Sequence, residues 1–180
     1  VFDSFNKIGK SSRIRHFERT VHWLKELKPE ADEALLVAAI AHDIEGAFLQ
    51  KDVLEKMTSA GFTNTELIRS HQERGAEIIA NFLKHQNVDV NFIERVKMLV
   101  SRHEEGGNDD QNLLKDADSV SFFETYVSLF LNEKAKVYGK ENVKQKFDSM
   151  FSRITSEKAK QIARPFYEAA IKALITSPEI

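Results

Sequence analysis

The stretch EALLVAAIAHDIEG, residues 33–46, runs through eight consecutive apolar residues, Ala34 to Ala41, and then meets an imidazole and a carboxylate, His42 and Asp43. A helix that is apolar on nearly every side has no solvent face, and its place is the centre of an all-helical bundle. The expected helix spans about 30–42, with Pro29 suited to its first turn and Gly46 releasing the chain at its end. An ionised carboxylate buried without a partner costs several kcal/mol, so Asp43 either escapes to the surface or shares a cavity with His42.

Working outward, apolar spacing reads as helix almost throughout and no stretch reads as a convincing strand. Ile14, Phe17, Val21 and Leu24 define one apolar side of a helix over about 12–28. A short helix is expected near 49–58, before a turn at Gly61. TNTE at 63–66, SHQE at 70–73 and NFIE at 91–94 each resemble a capping box; the second would put His71 in the first turn of a helix carrying Ala76, Ile79, Phe82 and Leu83. A helix from about 92 runs through Val96, Leu99 and Val100 to a polar, glycine-rich loop near His103, Gly106 and Gly107. Further helices are expected over about 111–133, 140–153 and 156–176, with Pro165 kinking or dividing the last.

The chain has 180 residues, 42% apolar and 30% charged, which suits one all-α domain, a compact bundle spanning 1–180 with extra C-terminal helices over about 140–176. A formal charge of −2 offers no broad basic surface for nucleic acid. With no cysteine, disulfide scaffolds and thiolate metal sites are excluded. No apolar run approaches the roughly 20 residues that span a bilayer, and no basic amphipathic face suggests a membrane surface. VFDSFNKIGKSSRIRHFERT lacks the apolar core of a signal peptide, so the expected compartment is the cytoplasm.

Six histidines are too many for adjacency alone to single any out. His22 shares the polar side of its helix with Arg15, Glu18 and Glu26, and His85 follows Lys84 at a helix end; both read as solvated. His16 borders the apolar side, with Thr20, Trp23 and Leu27 on its face, and reads either as a hydrogen-bonded core histidine or as one member of a site. Asp116 begins a stripe through Val120, Phe123, Val127 and Phe130, so it faces packing rather than solvent. A divalent cation or a salt bridge, for example to Lys115, would offset its charge. Asp118 points nearly opposite, about 200° round the helix, and is assigned a helix-start role or the orientation of a ligating histidine.

Taken together, RHFERTVHWL (15–24), LLVAAIAHDIEG (35–46) and LLKDADSVSFF (113–123) resemble the HD-domain metal-dependent phosphohydrolase superfamily over about residues 10–135. The resemblance implies a metal set of His16, His42, Asp43 and Asp116. SHQERGAEIIANFL (70–83) and LVSRHEEGG (99–107) are similar to members with a second metal, which implies that His71 and His103 extend the site and that Asp43 bridges two ions. Many relatives carry glycine two residues after the aspartate of the pair, where this chain has Glu45, read first as a solvated loop acid and otherwise as a rim group that repels a phosphate or binds through a metal-bound water.

The activity implied is hydrolysis of a small phosphate ester or nucleotide by metal-activated water, with one or two divalent ions drawn from manganese, iron, cobalt, magnesium, nickel or zinc. Asp43 is the expected catalytic carboxylate. Arg19 and Arg102, beside His16 and His103, are the expected phosphate-binding arginines, since the guanidinium fork suits phosphate oxygens. Alternatives with the same ligands are a binuclear iron oxygenase and a noncatalytic nucleotide-binding regulatory domain. A homodimer is one use for the apolar residues of the C-terminal helices, from Phe147 to Leu174; covering a side of the same domain is the other.

Overall fold

The computed structural model describes residues 1–10, 12–49 and 64–177. Among the described residues there are eight helices of six residues or more and no strand. They are α1 (Phe2–Lys7), α2 (Ser12–Leu27), α3 (Glu33–Ala41), α4 (Thr65–His85), α5 (Val90–Val100), α6 (Asp109–Thr125), α7 (Ala135–Ser152) and α8 (Glu157–Thr176). The helix expected near 49–58 and the turn at Gly61 lie outside the described residues.

α3 occupies the position its composition demands. Asp32 caps it by accepting from the Leu35 amide, and Ala34, Leu35, Ala38, Ala39 and Ala41 are buried against α2 and α5. Small alanine side chains let neighbouring backbones approach closely. Just beyond, Ile44–Ala47 form a 3-10 turn that packs on α4. Gly75 in α4 lies against that turn: a β-carbon there would sit in ordinary contact, 3.4 Å, with the His42 carbonyl oxygen.

Two of the three capping sequences do not start helices. α4 begins at Asn64, whose side chain accepts from the Leu67 amide, so SHQE lies inside a continuous helix and His71 in its second turn. α5 is capped by Asp89, two residues before the NFIE box. TNTE begins at 63, outside the described residues. The complete capping box belongs instead to Asn108 and Gln111 at the start of α6.

α6 is the central partition. Leu114 and Ala117 join a core made with α2, α3, α4 and α5, while Val120, Phe122 and Phe123 join a second core with Phe147, Met150, Ile154, Ala163 and Leu174. Trp23 and Leu27 touch both cores. After α6 the chain passes through a helical turn, Val127–Leu129, and a π-helical turn, Phe130–Lys134. α7 is broken at Gly139, whose φ of +79° is costly for any residue with a β-carbon. The regular helix follows it, where periodicity places it. α8 runs undivided through Pro165.

Candidate metal centre

Three elements bring His16, His42 and Asp118 together. His16 lies in α2, His42 ends α3, and Asp118 lies mid-way along α6. His16 Nε2 is 3.2 Å from His42 Nε2 and 3.0 Å from Asp118 Oδ1, and His42 Nε2 is 3.4 Å from the same oxygen. All three residues are buried.

The outer ring nitrogens are all occupied. His42 Nδ1 donates to the Ala39 carbonyl at 2.9 Å. Ser121 Oγ and Thr125 Oγ1 spend their own protons on the carbonyls of His16 and Ser121, so both accept from His16 Nδ1, at 2.9 and 3.3 Å. These partners assign the Nδ1–H tautomer to both rings, which turns two Nε2 lone pairs toward one point. Asp118, Ser121 and Thr125 lie three and four residues apart, so one face of α6 grips both nitrogens of His16.

A second cluster abuts the first. Asp43 Oδ1 is 2.9 Å from His71 Nε2 in α4 and 3.6 Å from His103 Nε2 in the turn after α5. His103 Nδ1 donates to the Val100 carbonyl at 2.8 Å, while its Nε2 is buried with no hydrogen-bond partner among the described residues. Glu45 accepts from His71 Nδ1 and is held in turn by Arg74. The imidazoles form a continuous row: ring centroids are 5.2 Å apart for His16 and His42, 5.1 Å for His42 and His103, and 5.6 Å for His103 and His71.

Both triads bring one donor atom per residue within 4.8 Å of one another. A cation about 2.1 Å from nitrogen and oxygen donors, in right-angled coordination, separates neighbouring donors by about 3 Å. The edges of the first triad, 3.0, 3.2 and 3.4 Å, fit that spacing. The residues therefore suit a divalent ion, which would also relieve the facing lone pairs of His16 and His42 and give the orphaned His103 Nε2 a partner.

Electrostatics follow from burial and pairing. Burial lowers the pKa of His16 and of His103. His42 is raised, because Asp118 and Asp43 outweigh its burial. His71 is pushed up to about 9 against its burial, held protonated between Asp43 and Glu45. Both carboxylates are depressed despite burial, Asp43 by His103 and His71, and Asp118 by His42 and His16.

Of the six expected metal ligands, five are brought together: His16, His42, Asp43, His71 and His103. Asp116 is not. Its carboxylate accepts from the amides of Thr155 and Ser156, at 2.7 and 2.8 Å, in the turn before α8. Asp118 stands where Asp116 was expected. The stripe from Asp116 through Val120 and Phe123 is buried, but it faces the C-terminal core.

The expected phosphate-binding arginines are engaged elsewhere. Arg19 pairs with Glu124 at 2.7 Å and lies over the Trp23 ring. Arg102 donates to the Gly106 carbonyl at 3.0 Å and pairs with Glu105. Glu45, expected in solvent, is 3% exposed and bonded to His71. His22 and His85 stay outside both clusters, His85 donating to the Asn81 carbonyl on an exposed surface.

Of the other nearby groups, Arg13 is a basic neighbour of His16 along the chain, whereas Lys146, Tyr126 and Arg153 gave no sequence signal. Arg13 Nη1 lies 3.8 Å from Asp43 Oδ2. Lys146 lies over the Phe122 ring, its pKa lowered by burial although Asp118 and Asp43 support its charge. The Tyr126 ring packs 4.6 Å from His16, and its hydroxyl is buried with no hydrogen-bond partner among the described residues. Arg153 bonds Asp118, Ser119 and Glu104. Helical spacing within α2–α6 cannot reveal residues delivered by a later core.

A family model described as "Domain of unknown function (DUF4202)" matches residues 4–175, a span that includes both clusters and nearly all of the C-terminal helices. No curated protein and no solved structure matches the chain.

Proposed function

For this chain, which belongs to the DUF4202 family, we propose metal-dependent hydrolysis of a small phosphate ester or nucleotide, by an enzyme of the HD-domain type. The observation that carries the reading is the pairing of two triads, His16/His42/Asp118 and Asp43/His71/His103, whose imidazole nitrogens and carboxylate oxygens lie within 4.8 Å of one another in each triad. The ordered HD-like motifs lend it their support, with Asp118 as the final aspartate.

Divalent cations held by these residues would polarise phosphoryl oxygens and lower the pKa of a water molecule. The protein's own groups supply the rest. Asp43 follows His42 in the chain and has Oδ1 between His71 and His103, so it is the carboxylate that joins the two triads. Ser121 and Thr125 fix the His16 ring, the Ala39 and Val100 carbonyls fix His42 and His103, and Glu45 fixes His71. Arg13 and Lys146 both feel the charge of Asp43, and they suit the anionic oxygens of a phosphate. The buried Tyr126 hydroxyl has a proton to donate to a substrate oxygen.

The test is elemental analysis of purified, metal-loaded protein coupled to phosphate release from nucleotides and sugar phosphates. Bound divalent metal with turnover is the expected result, and His42→Ala and Asp43→Ala should lose both. Variants with wild-type metal content and turnover would refute the assignment. Oxygen consumption without phosphate release would replace hydrolysis by oxygenation.

A further inference from the structure

Arg153 caps the C-terminus of α7, in the part of the chain that carries no HD-like motif. Its side chain is 12% exposed, and each of its three nitrogens is used. Nε donates to Ser119 Oγ at 2.7 Å, Nη1 to Glu104 Oε2, and Nη2 to Asp118 Oδ2. The other oxygen of that carboxylate, Oδ1, is the one that faces the Nε2 atoms of His16 and His42.

This division of labour has a physical consequence. The terminal torsion of an aspartate is soft and broad. A guanidinium bonded to Oδ2 fixes the carboxylate plane and leaves Oδ1 presented to the two imidazoles. Glu104 is the residue after His103, so the same guanidinium ties a donor of the first triad to the neighbour of a donor of the second. The turn carrying Arg153 is itself moored, since Asp116 accepts from the Thr155 and Ser156 amides. One turn of α6 thus grips the C-terminal layer through Asp116, and that layer grips Asp118 through Arg153. Burial pulls Arg153 down to about 9, which leaves it cationic at neutral pH.

We propose that Arg153 is a positioning residue of the metal centre: it holds Asp118 Oδ2 so that Oδ1 is offered, with His16 and His42, to a divalent cation. The C-terminal helices are then part of the metal-holding unit rather than a cover over it. The inference rests on the proposed metal-dependent reading and deepens it.

Calorimetric titration of metal-free protein with Mn2+ tests it, with His42→Ala and His71→Ala identifying the binding events of the first and second triads. Arg153→Met should weaken the first event by about 10–100-fold, the usual consequence of losing a group that orients a ligand, and leave the second little changed. Arg153→Lys keeps the charge without the fork and should fall between wild type and Arg153→Met. Wild-type affinity at the first event in Arg153→Met overturns the inference. So does an equal loss at both events with a lowered melting temperature, which is the signature of a group that merely closes the core. If Arg153→Met does not fold, Arg153→Lys decides, and unchanged affinity there overturns it. Wild-type protein that takes up no Mn2+ would remove the underlying metal reading, a result distinct from metal binding that ignores Arg153.

Discussion

Two aspartates two positions apart in α6 divide the work between chemistry and architecture, and their substitutions should separate cleanly. Asp118→Asn should lower metal affinity by tenfold or more, measured by Mn2+ titration, because it removes a charged donor from beside His16 and His42. Asp116→Asn should leave that affinity nearly unchanged and lower the melting temperature instead, since it weakens two charge-assisted hydrogen bonds to the turn before α8. His71 contributes to the pH dependence of the metal-free protein. Its pKa is raised to about 9 in the folded state, above its ordinary value of 6.5, so its contribution to stability is full below about pH 6.5 and is lost as pH rises through 9. A cation taking Nε2 must displace that proton. Metal binding near pH 7.5 should therefore release a proton, visible as a dependence of the calorimetric heat on buffer ionisation enthalpy, and His71→Gln should abolish that component. His16, His42 and Asp43 stood out because each ends or borders an apolar run, whereas His71 and His103, and the reading of all five as ligands, came from the resemblance to HD-domain motifs. Asp118 was not, because the stripe rule asks whether a face is buried and not what buries it.

Among the elements, α6 explains why that rule ran out. Nearly every residue from Leu114 to Phe123 is buried, so its apolar periodicity is flat and both aspartates look equally interior. Its two sides serve two cores, and only the packed arrangement assigns Asp118 to the imidazoles. The existence of the helices from α2 to α8 was readable from spacing, that of the short α1 was not, and helix starts were less legible: SHQE has the composition of a capping box but lies within α4, because Asn64 caps one turn and more earlier. α7 and the residue that caps its C-terminus add Lys146 and Arg153 to the cation that α2 supplies, Arg13. Lys146→Met should raise KM for a phosphate ester more than it lowers metal content, whereas Arg19→Ala and Arg102→Ala should change KM little, as both guanidinium groups are committed to glutamates. Phe147, fully buried among Phe122, Phe123 and Phe130, anchors this layer; Phe147→Ala should cost about 3–5 kcal/mol by denaturant unfolding.

Across the whole molecule, the candidate ligands come from α2, α3, α4, the turn after α5 and α6, so that a cation held by them would make metal binding and folding one equilibrium. A cation bound only by the folded chain at 100 times its dissociation constant adds about 2.7 kcal/mol, so Mn2+ should raise the melting temperature and a chelator should lower it again. Asp43→Ala should blunt that response. By itself, the sequence determined the all-helical class and the central position of α3, because hydrophobic periodicity is a local property of the chain; it named most candidate ligands only through the resemblance of its motifs to those of HD domains. The tertiary structure alone decided which aspartate of α6 meets the histidines, that Glu45 bonds His71 and Arg153 bonds Asp118, and that Tyr126 at the end of α6 packs on His16. Those choices depend on the relative rotation and docking of helices far apart in the chain, and no local spacing encodes which buried face meets which.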